Sequence, residues 1–230
     1  MVLKLYIDLL SQPSRALFIL LKTAKCDFEK KLVDLRKGAH YTDEFTAINR
    51  FQKVPVIDHN GFILTESVAI IKYLSRENLI PNSLFPKESK SQARVDEFLE
   101  WQHIGLRIHC AMYFRQSESI QIDPSLKIKK IEPRNYCLEK FRMISSLKAF
   151  EMHWLQNGTE FIAGDSITVA DLLAACELEQ PRAAGYDAAE NFKDISTWWN
   201  KVRNHFNPYY DEAHAVINSL IEKNKLAAKL

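Results

Sequence analysis

Between Asn49 and Leu74 the chain reads NRFQKVPVIDHNGFILTESVAIIKYL, and no other stretch constrains the fold as tightly. Val56-Ile57-Asp58 and Phe62-Ile63-Leu64 are short apolar runs separated by Asn60-Gly61. That pair suits a tight hairpin, because both central positions of the turn take positive φ. Pro55 stands just ahead of the first run, at a strand start, where its missing donor disrupts no ladder. A cis bond between Val54 and Pro55 would expose the backbone N–H and C=O of Val54 to an extended peptide. Thr65-Glu66-Ser67 then opens a helix with apolar residues at Val68, Ile71 and Leu74. The free N–H groups and positive partial charge at that helix start suit a carboxylate. The stretch offers a backbone clamp beside an anion site, fit for a small acidic peptide. An ordinary hairpin followed by a capped helix accounts for the same spacing.

Lys4 to Ile7 reads as a first strand, and Ser11-Gln12-Pro13 as a helix start, with serine able to cap and proline tolerated in the first turn. Phe28 to Val33 is a second strand, parallel to the first because a helix connects them. Gly38-Ala39-His40 is loop and Asp43 to Ile48 a short helix, so the order is βαβ, then α, then ββα. That order is thioredoxin-like, an α/β unit assigned to residues 1–79. Pro81, Asn82, Ser83 and Pro86 mark a linker over 80–88. From Ser89 helical spacing dominates, and 89–230 is expected to be all-helical. Val95, Phe98, Leu99, Leu106, Cys110 and Tyr113 form one long stripe, with Trp101, Ile104 and Ile108 beside it. Gln116 to Pro133, with the basic run Lys127-Ile128-Lys129-Lys130, reads as a mobile connection whose charges are solvated. Helix resumes over Tyr136 to Leu155. Thr168 and Asp171 make a capping box, flanked by Ile167 and Leu172 as a hydrophobic staple. Ile195 to Val202 and Glu212 to Ile221 complete the helical part.

A length of 230 residues is enough to bury a sizeable core. A net charge of +2 argues against a polyanionic partner, so no nucleic acid is expected. The four cysteines, Cys26, Cys110, Cys137 and Cys176, include no CxxC pair, which argues against a zinc site or a redox dithiol. They read as small buried hydrophobes, reduced in the cytosol. The longest apolar run, Ala16 to Leu21, falls far short of the ~20 residues that span a bilayer, and no membrane association is expected. The final tripeptide, Ala228-Lys229-Leu230, is similar to a peroxisomal address, though a cytoplasmic protein is the simpler reading.

LYIDLLSQPSRALFILLK near the start, the VP before the hairpin and the ES at the next helix start together resemble the theta class of glutathione transferases. The likeness runs from Val2 to about Ile217. It implies an N-terminal thioredoxin-like part, an all-helical C-terminal part and a homodimer. It also implies attack of the glutathione thiolate on small hydrophobic electrophiles by displacement or addition, with peroxide reduction as a side activity. Glutathione is then a co-substrate, with no metal and no redox cofactor.

Within that frame Ser11 is the candidate catalytic residue. A hydroxyl at a helix N-terminus can donate to a thiolate, and charge-assisted bonds of this kind are worth about 1.5–3 kcal/mol, roughly one to two pKa units. Taken by itself, Ser11 reads equally as a helix cap. Ser14 fits the pattern less well, and Arg15 either tunes local charge or sits on the helix surface. The resemblance assigns His40 and Lys53 to the glycyl carboxylate, Val54 to the cysteinyl backbone, and Glu66 and Ser67 to the γ-glutamyl end. Gln12 is a further match. Arg107 matches an arginine that faces the glutathione site, or else snorkels at the surface. Ile104 stands where some relatives have an acidic residue for the peptide amine. Leu10, Ile108, Met112, Tyr113 and Phe114 are expected to line the electrophile pocket. A catalytically silent binding or scaffold protein is the rival reading, and a thiol oxidoreductase is disfavoured because the nearest cysteine, Cys26, is about four turns beyond Ser11.

Overall fold

Leu3, Leu5 and Ile7 alternate with Lys4 and Tyr6, and this two-residue period decides which face of the first strand meets the core. The computed structural model describes residues 3–117 and 133–227. The run Lys127–Lys130 and the final tripeptide lie outside the described residues. Strands β1 (Leu3–Ile7), β2 (Phe28–Leu32), β3 (Val56–His59) and β4 (Phe62–Thr65) form one sheet in the order β2-β1-β3-β4. β1 runs parallel to β2, with Ile7 opposite Leu32, and antiparallel to β3, with Tyr6 opposite Val56. β3 and β4 are antiparallel, with Val56 opposite Thr65. One end of the sheet therefore collects the exits of β1, β2 and β4 and the entry of β3.

Helix α1 (Gln12–Thr23) and helix α3 (Ser67–Arg76) pack on the face that carries Leu3, Leu5, Ile7 and Ile57. Helix α2 (Asp43–Ile48) covers the other face over a small cluster of Val33, Phe45 and Val56. The hairpin, the three helices and the parallel β1–β2 pair follow the sequence expectation.

The helical part holds α4 (Ser89–Gln102), α5 (Ile108–Gln116), α6 (Pro133–Phe150), α7 (Val169–Ala183), α8 (Lys193–Phe206) and α9 (Tyr209–Ala227). All six stripe residues from Val95 to Tyr113 are buried, but the rod that carries them is not uniform. A π-helical turn, His103–Arg107, separates α4 from α5. The wider turn points Ile104 and Ile108 outward, 75% and 46% exposed, rather than beside the core stripe. α8 and α9 run past the expected Ile195–Val202 and Glu212–Ile221, because polar residues on their outer faces continue the helices without an apolar period.

α7 is buried at 14 of its 15 positions, which makes it the axis of the helical part. The Thr168–Asp171 capping box is present: Asp171 accepts from the Thr168 N–H at 2.9 Å, and Thr168 Oγ1 accepts from Ala170 N–H at 3.2 Å. Asp171 also accepts from Ile162 N–H at 3.0 Å and Trp198 Nε1–H at 2.9 Å, so one carboxylate ties the start of α7 to a loop and to α8. Cys110 and Cys176 are buried as expected; Cys137 is exposed on α6, on a face no core contact requires.

His214 on α9 is buried, with Nδ1 2.7 Å from the Tyr210 carbonyl and Nε2 without a partner. Burial, with the positive charge of Arg15 behind it, holds its pKa well below the usual 6.5. The folded state keeps the ring neutral while the unfolded chain takes up a proton below about pH 6.5. Stability from this group is thus complete above that pH and falls as pH drops towards the folded pKa, by at most about 1.4 kcal/mol per pH unit. Denaturant titration at pH 7.5 and pH 5.0 should show this loss in the wild type and a smaller one in His214→Phe.

Candidate functional site

Sheet register gathers the residues picked from sequence. Ser11 follows the exit of β1, His40 the exit of β2, Lys53 and Val54 precede β3, and Glu66 and Ser67 follow β4. All six therefore emerge at one end of the sheet.

Ser11 is the N-cap of α1, in extended backbone (φ −82°, ψ 126°), yet its hydroxyl makes no capping bond. The first turn carries Pro13 instead, which removes one of the donors a cap would have served. The hydroxyl is thus left unused at the positive end of a twelve-residue helix. The turn beneath it is heavily held. Ser11 N–H donates to the Asp8 carbonyl at 3.0 Å. The buried Asp8 carboxylate accepts from Leu10 N–H and from Leu35 N–H, both at 2.9 Å. Leu35 opens the short turns that lead to His40, so Asp8 ties the serine turn to the histidine loop.

Arg15 is fully buried and not a surface residue. Its Nη1 donates to the carbonyls of Leu9 (2.9 Å) and Leu10 (3.2 Å); its Nη2 donates to Cys176 O (3.0 Å) and Gln180 Oε1 (2.8 Å) on α7. Gln12 is half-buried at the first helical position, and Ser14 is fully buried with Oγ unpartnered, turned away from solvent.

The Val54–Pro55 bond is cis. The loop before it is built on Asn49, which is buried, donates from Nδ2 to the Lys53 carbonyl at 2.7 Å and accepts from Phe51 N–H at 3.0 Å. Lys53 is exposed, and its ammonium enters no ion pair among the described residues. Glu66 sits at φ 66°, a left-handed conformation that costs a non-glycine residue about 1–3 kcal/mol. It is exposed, whereas Ser67 behind it is buried at the first turn of α3. His40 has Nδ1 buried without a partner, and its pKa is lowered by burial, against the pull of Asp8. At neutral pH it meets an anion as a neutral N–H donor.

Arg107 is half-buried, with its side chain 20% exposed, and does not snorkel. Its Nε donates at 2.6 Å to Glu177, a buried carboxylate on α7, while Arg107 Nη2 and Glu177 Oε2 have no partner among the described residues. His103 lies 3.5 Å from Arg107 Nη1, and burial with the nearby Arg107 charge holds its pKa below the usual 6.5. Gly105, in the middle of that turn, has no room for a Cβ, which would overlap the Trp101 ring. The Gly105 carbonyl accepts from Ser146 Oγ on α6. Of the residues assigned to the electrophile pocket, Leu10, Tyr113 and Phe114 belong to the core, Tyr113 with its hydroxyl 2.9 Å from that of Tyr136. Only Ile108 and Met112 present surface.

Comparison with known proteins decides the family. Residues 1–76 match the glutathione S-transferase N-terminal domain and residues 121–205 its C-terminal domain. The chain is 38% identical to human glutathione S-transferase theta-1 and 37% identical to its bovine counterpart, in each case over 94% of this chain and 89% of the relative. The chain belongs to the theta class of the glutathione S-transferase family. Among solved structures, this theta-class chain superimposes on apo human glutathione-S-transferase T1-1 with a TM-score of 0.87 at 36% identity, covering 96% of this chain and 91% of that one. A human theta-class enzyme in complex with the glutathione conjugate of 1-menaphthyl sulfate gives a TM-score of 0.90 at 33% identity, covering 99% and 92%.

Asp8, Asn49, His103, Glu177 and Gln180 shape the site of this transferase without having been picked from sequence. Asp8 precedes the serine by three residues and could have been suspected as a turn former. Glu177 and Gln180 carried no signal, because their partners are 70 and 165 residues away in the chain.

The Arg107–Glu177 pair makes a measurable demand. Truncating one partner of a buried ion pair leaves the other charge unmatched, at a cost of about 3–5 kcal/mol. Arg107→Ala should lose stability of that order in urea unfolding, and adding Glu177→Gln should recover more than half of it. Full additivity of the two substitutions would mean that the pair is not coupled.

Proposed function

We propose that this chain catalyses conjugation of glutathione to small hydrophobic electrophiles, with Ser11 donating a hydrogen bond to the glutathione thiolate. The observation that carries the reading is the uncapped Ser11 hydroxyl at the positive end of α1, on a turn fixed from three sides. The thiol gives its proton to solvent; sulfur then forms the new bond to carbon, and the leaving group departs with its electron pair, or in addition the electrons move onto the acceptor. A hydrogen bond and a helix field lower the thiol pKa, and that chemistry asks for no cofactor beyond the co-substrate itself.

His40 and Lys53 would receive the glycyl carboxylate, Val54 the cysteinyl backbone, and Glu66 with Ser67 the γ-glutamyl amine and carboxylate. Gln12 and Arg107 complete the peptide site. The peptide amine would rest on Glu66, since Ile104 offers no acceptor. Ile108 and Met112 are the surface residues left to meet the electrophile, and peroxide reduction would use the same thiolate. We assign residues 1–79 to the peptide-binding domain, 80–88 to a linker and 89–230 to the helical domain. Human theta-class structures in complex with glutathione and with a glutathione conjugate support the choice of co-substrate. A role in detoxification follows from the substrate class. The four cysteines are free, as in the reducing cytosol where we place the protein.

Ser11→Ala should leave glutathione affinity within about threefold and raise the pKa of the bound thiol by roughly one to two units, towards the ~8.5 of a free thiol. Ultraviolet difference titration of bound glutathione reads this directly. An unchanged thiolate band in the variant would take Ser11 out of the thiolate's stabilisation, and a wild-type thiol that titrates like free glutathione would move the reading to the scaffold class.

Homodimer formation is the expected assembly. Exposed Phe51, Phe62, Ile63 and Ile104 supply apolar surface for it. Sedimentation equilibrium should give twice the 26.7 kDa chain mass, and Ile104→Glu should shift the population towards monomer.

A further inference from the structure

Arg15 carries a charge that no carboxylate among the described residues meets directly. Its guanidinium is fully buried, and its acceptors are three backbone carbonyls and one amide oxygen, all neutral. It takes part in no ion pair among the described residues, while its two charged neighbours on α7 are each already matched. Glu177 holds Arg107 at 2.6 Å, and Glu179 holds Arg182 at 2.5 Å and accepts from the Tyr210 hydroxyl at 3.0 Å. Arg182 also meets Asp187, on a side chain 30% exposed, where solvent screens the extra negative charge. Besides the Asp8 carboxylate, buried on the turn that Arg15 grips and held by the Leu10 and Leu35 N–H groups, the remaining titratable groups that face Arg15 are Cys176 on α7 and Tyr210 and His214 on α9. Burial pushes the Cys176 thiol and the Tyr210 hydroxyl up and the His214 imidazole down, so all three are neutral.

The place of this charge matters. Arg15 grips the carbonyls of Leu9 and Leu10, the two residues immediately before Ser11, and its own N–H donates to the Ser11 carbonyl at 3.0 Å. Gln180 completes the grip by accepting from Arg15 Nη2 and donating Nε2–H to Leu10 O at 3.2 Å. A cation that no carboxylate meets directly still interacts with anions beyond hydrogen-bond reach, and interior charges are weakly screened. We propose that Arg15, held in place by Gln180 of the helical part, is the positioning residue for Ser11 and that its unmatched charge favours the bound glutathione as thiolate. The proposal rests on the assignment of Ser11 above and deepens it. The helical part then acts on the sulfur through a buried cation as well as by walling the site.

Two substitutions at Gln180 separate charge from geometry without truncating the arginine. Gln180→Glu sets a carboxylate against the Arg15 guanidinium, cancels its charge and gives up the donor to Leu10 O, while Gln180→Met gives up that donor and the Arg15 bond and leaves the charge. With glutathione bound to the full-length protein, the thiol pKa should rise by about one unit in Gln180→Glu, a tenfold loss of thiolate below that pKa. It should rise by clearly less in Gln180→Met, with glutathione dissociation constants within about twofold of wild type in both. A purely structural role would lower melting temperature and affinity and leave the thiol pKa in place. Identical titration of wild type and both variants overturns the inference, and equal rises in the two variants overturn its charge component. If Gln180→Glu does not fold, Gln180→Met decides alone, with no rise counting against the proposal. A wild type whose bound thiol titrates like free glutathione overturns the Ser11 assignment first, and the wild-type trace therefore tells the two failures apart.

Discussion

A guanidinium sealed from water with only neutral acceptors is the constraint on which the architecture turns. Leaving such a cation unsatisfied would cost several kcal/mol, so each of its acceptors must be where it is. Two of them belong to the turn after β1 and two to α7. The sheet part and the helical part therefore cannot shift against each other near Ser11 without breaking hydrogen bonds that water is not there to replace. Packing alone tolerates sliding of apolar surfaces more readily than a fork of directional bonds does.

That requirement explains the character of α7. Glu177, Glu179 and Gln180 are polar residues that in most helices would face solvent, and here they are buried. Each has a partner on a different element: Glu177 has Arg107 in the π turn, Glu179 has Tyr210 on α9 besides Arg182 in α7 itself, and Gln180 has Arg15 on α1. α7 is thus a hydrophobic axis at its start, where Leu172 and Leu173 pack, and a polar junction at its end. Its first turn is fixed separately by Asp171, which joins the helix to Ile162 and Trp198. The two ends do different work: one folds the helical part and the other registers it on the sheet.

The sheet part was legible because its signals are local. Asn60-Gly61 between apolar runs, proline at the start of β3 and serine before Pro13 each specify backbone within a few residues, and register then brings Ser11, Val54, Glu66 and Ser67 to one end. Helix count in the second half was legible from apolar spacing, but not the π turn, since a stripe from Val95 to Tyr113 reads the same whether or not one turn is wide. Ser11 looked like a cap from sequence; only the structure shows the hydroxyl idle. Between tuning local charge and sitting on the helix surface Arg15 stayed undecided in the sequence, because its acceptors on α7 are far away in the chain. The electrophile pocket was hard to read for a related reason: aromatic residues at helical spacing signal core and cavity wall alike, and Tyr113 and Phe114 are buried in the core cluster.

The π turn carries a consequence for how this sequence can vary. Gly105 lies against the Trp101 ring so closely that any side chain would collide with it, and the Gly105 carbonyl is already taken by Ser146. Positions 101, 105 and 146 therefore form a lock on three helical segments rather than three independent sites. A lineage drifting by single substitutions cannot give up the glycine before it has given up the tryptophan. In related chains the glycine should be missing only where the tryptophan is missing too.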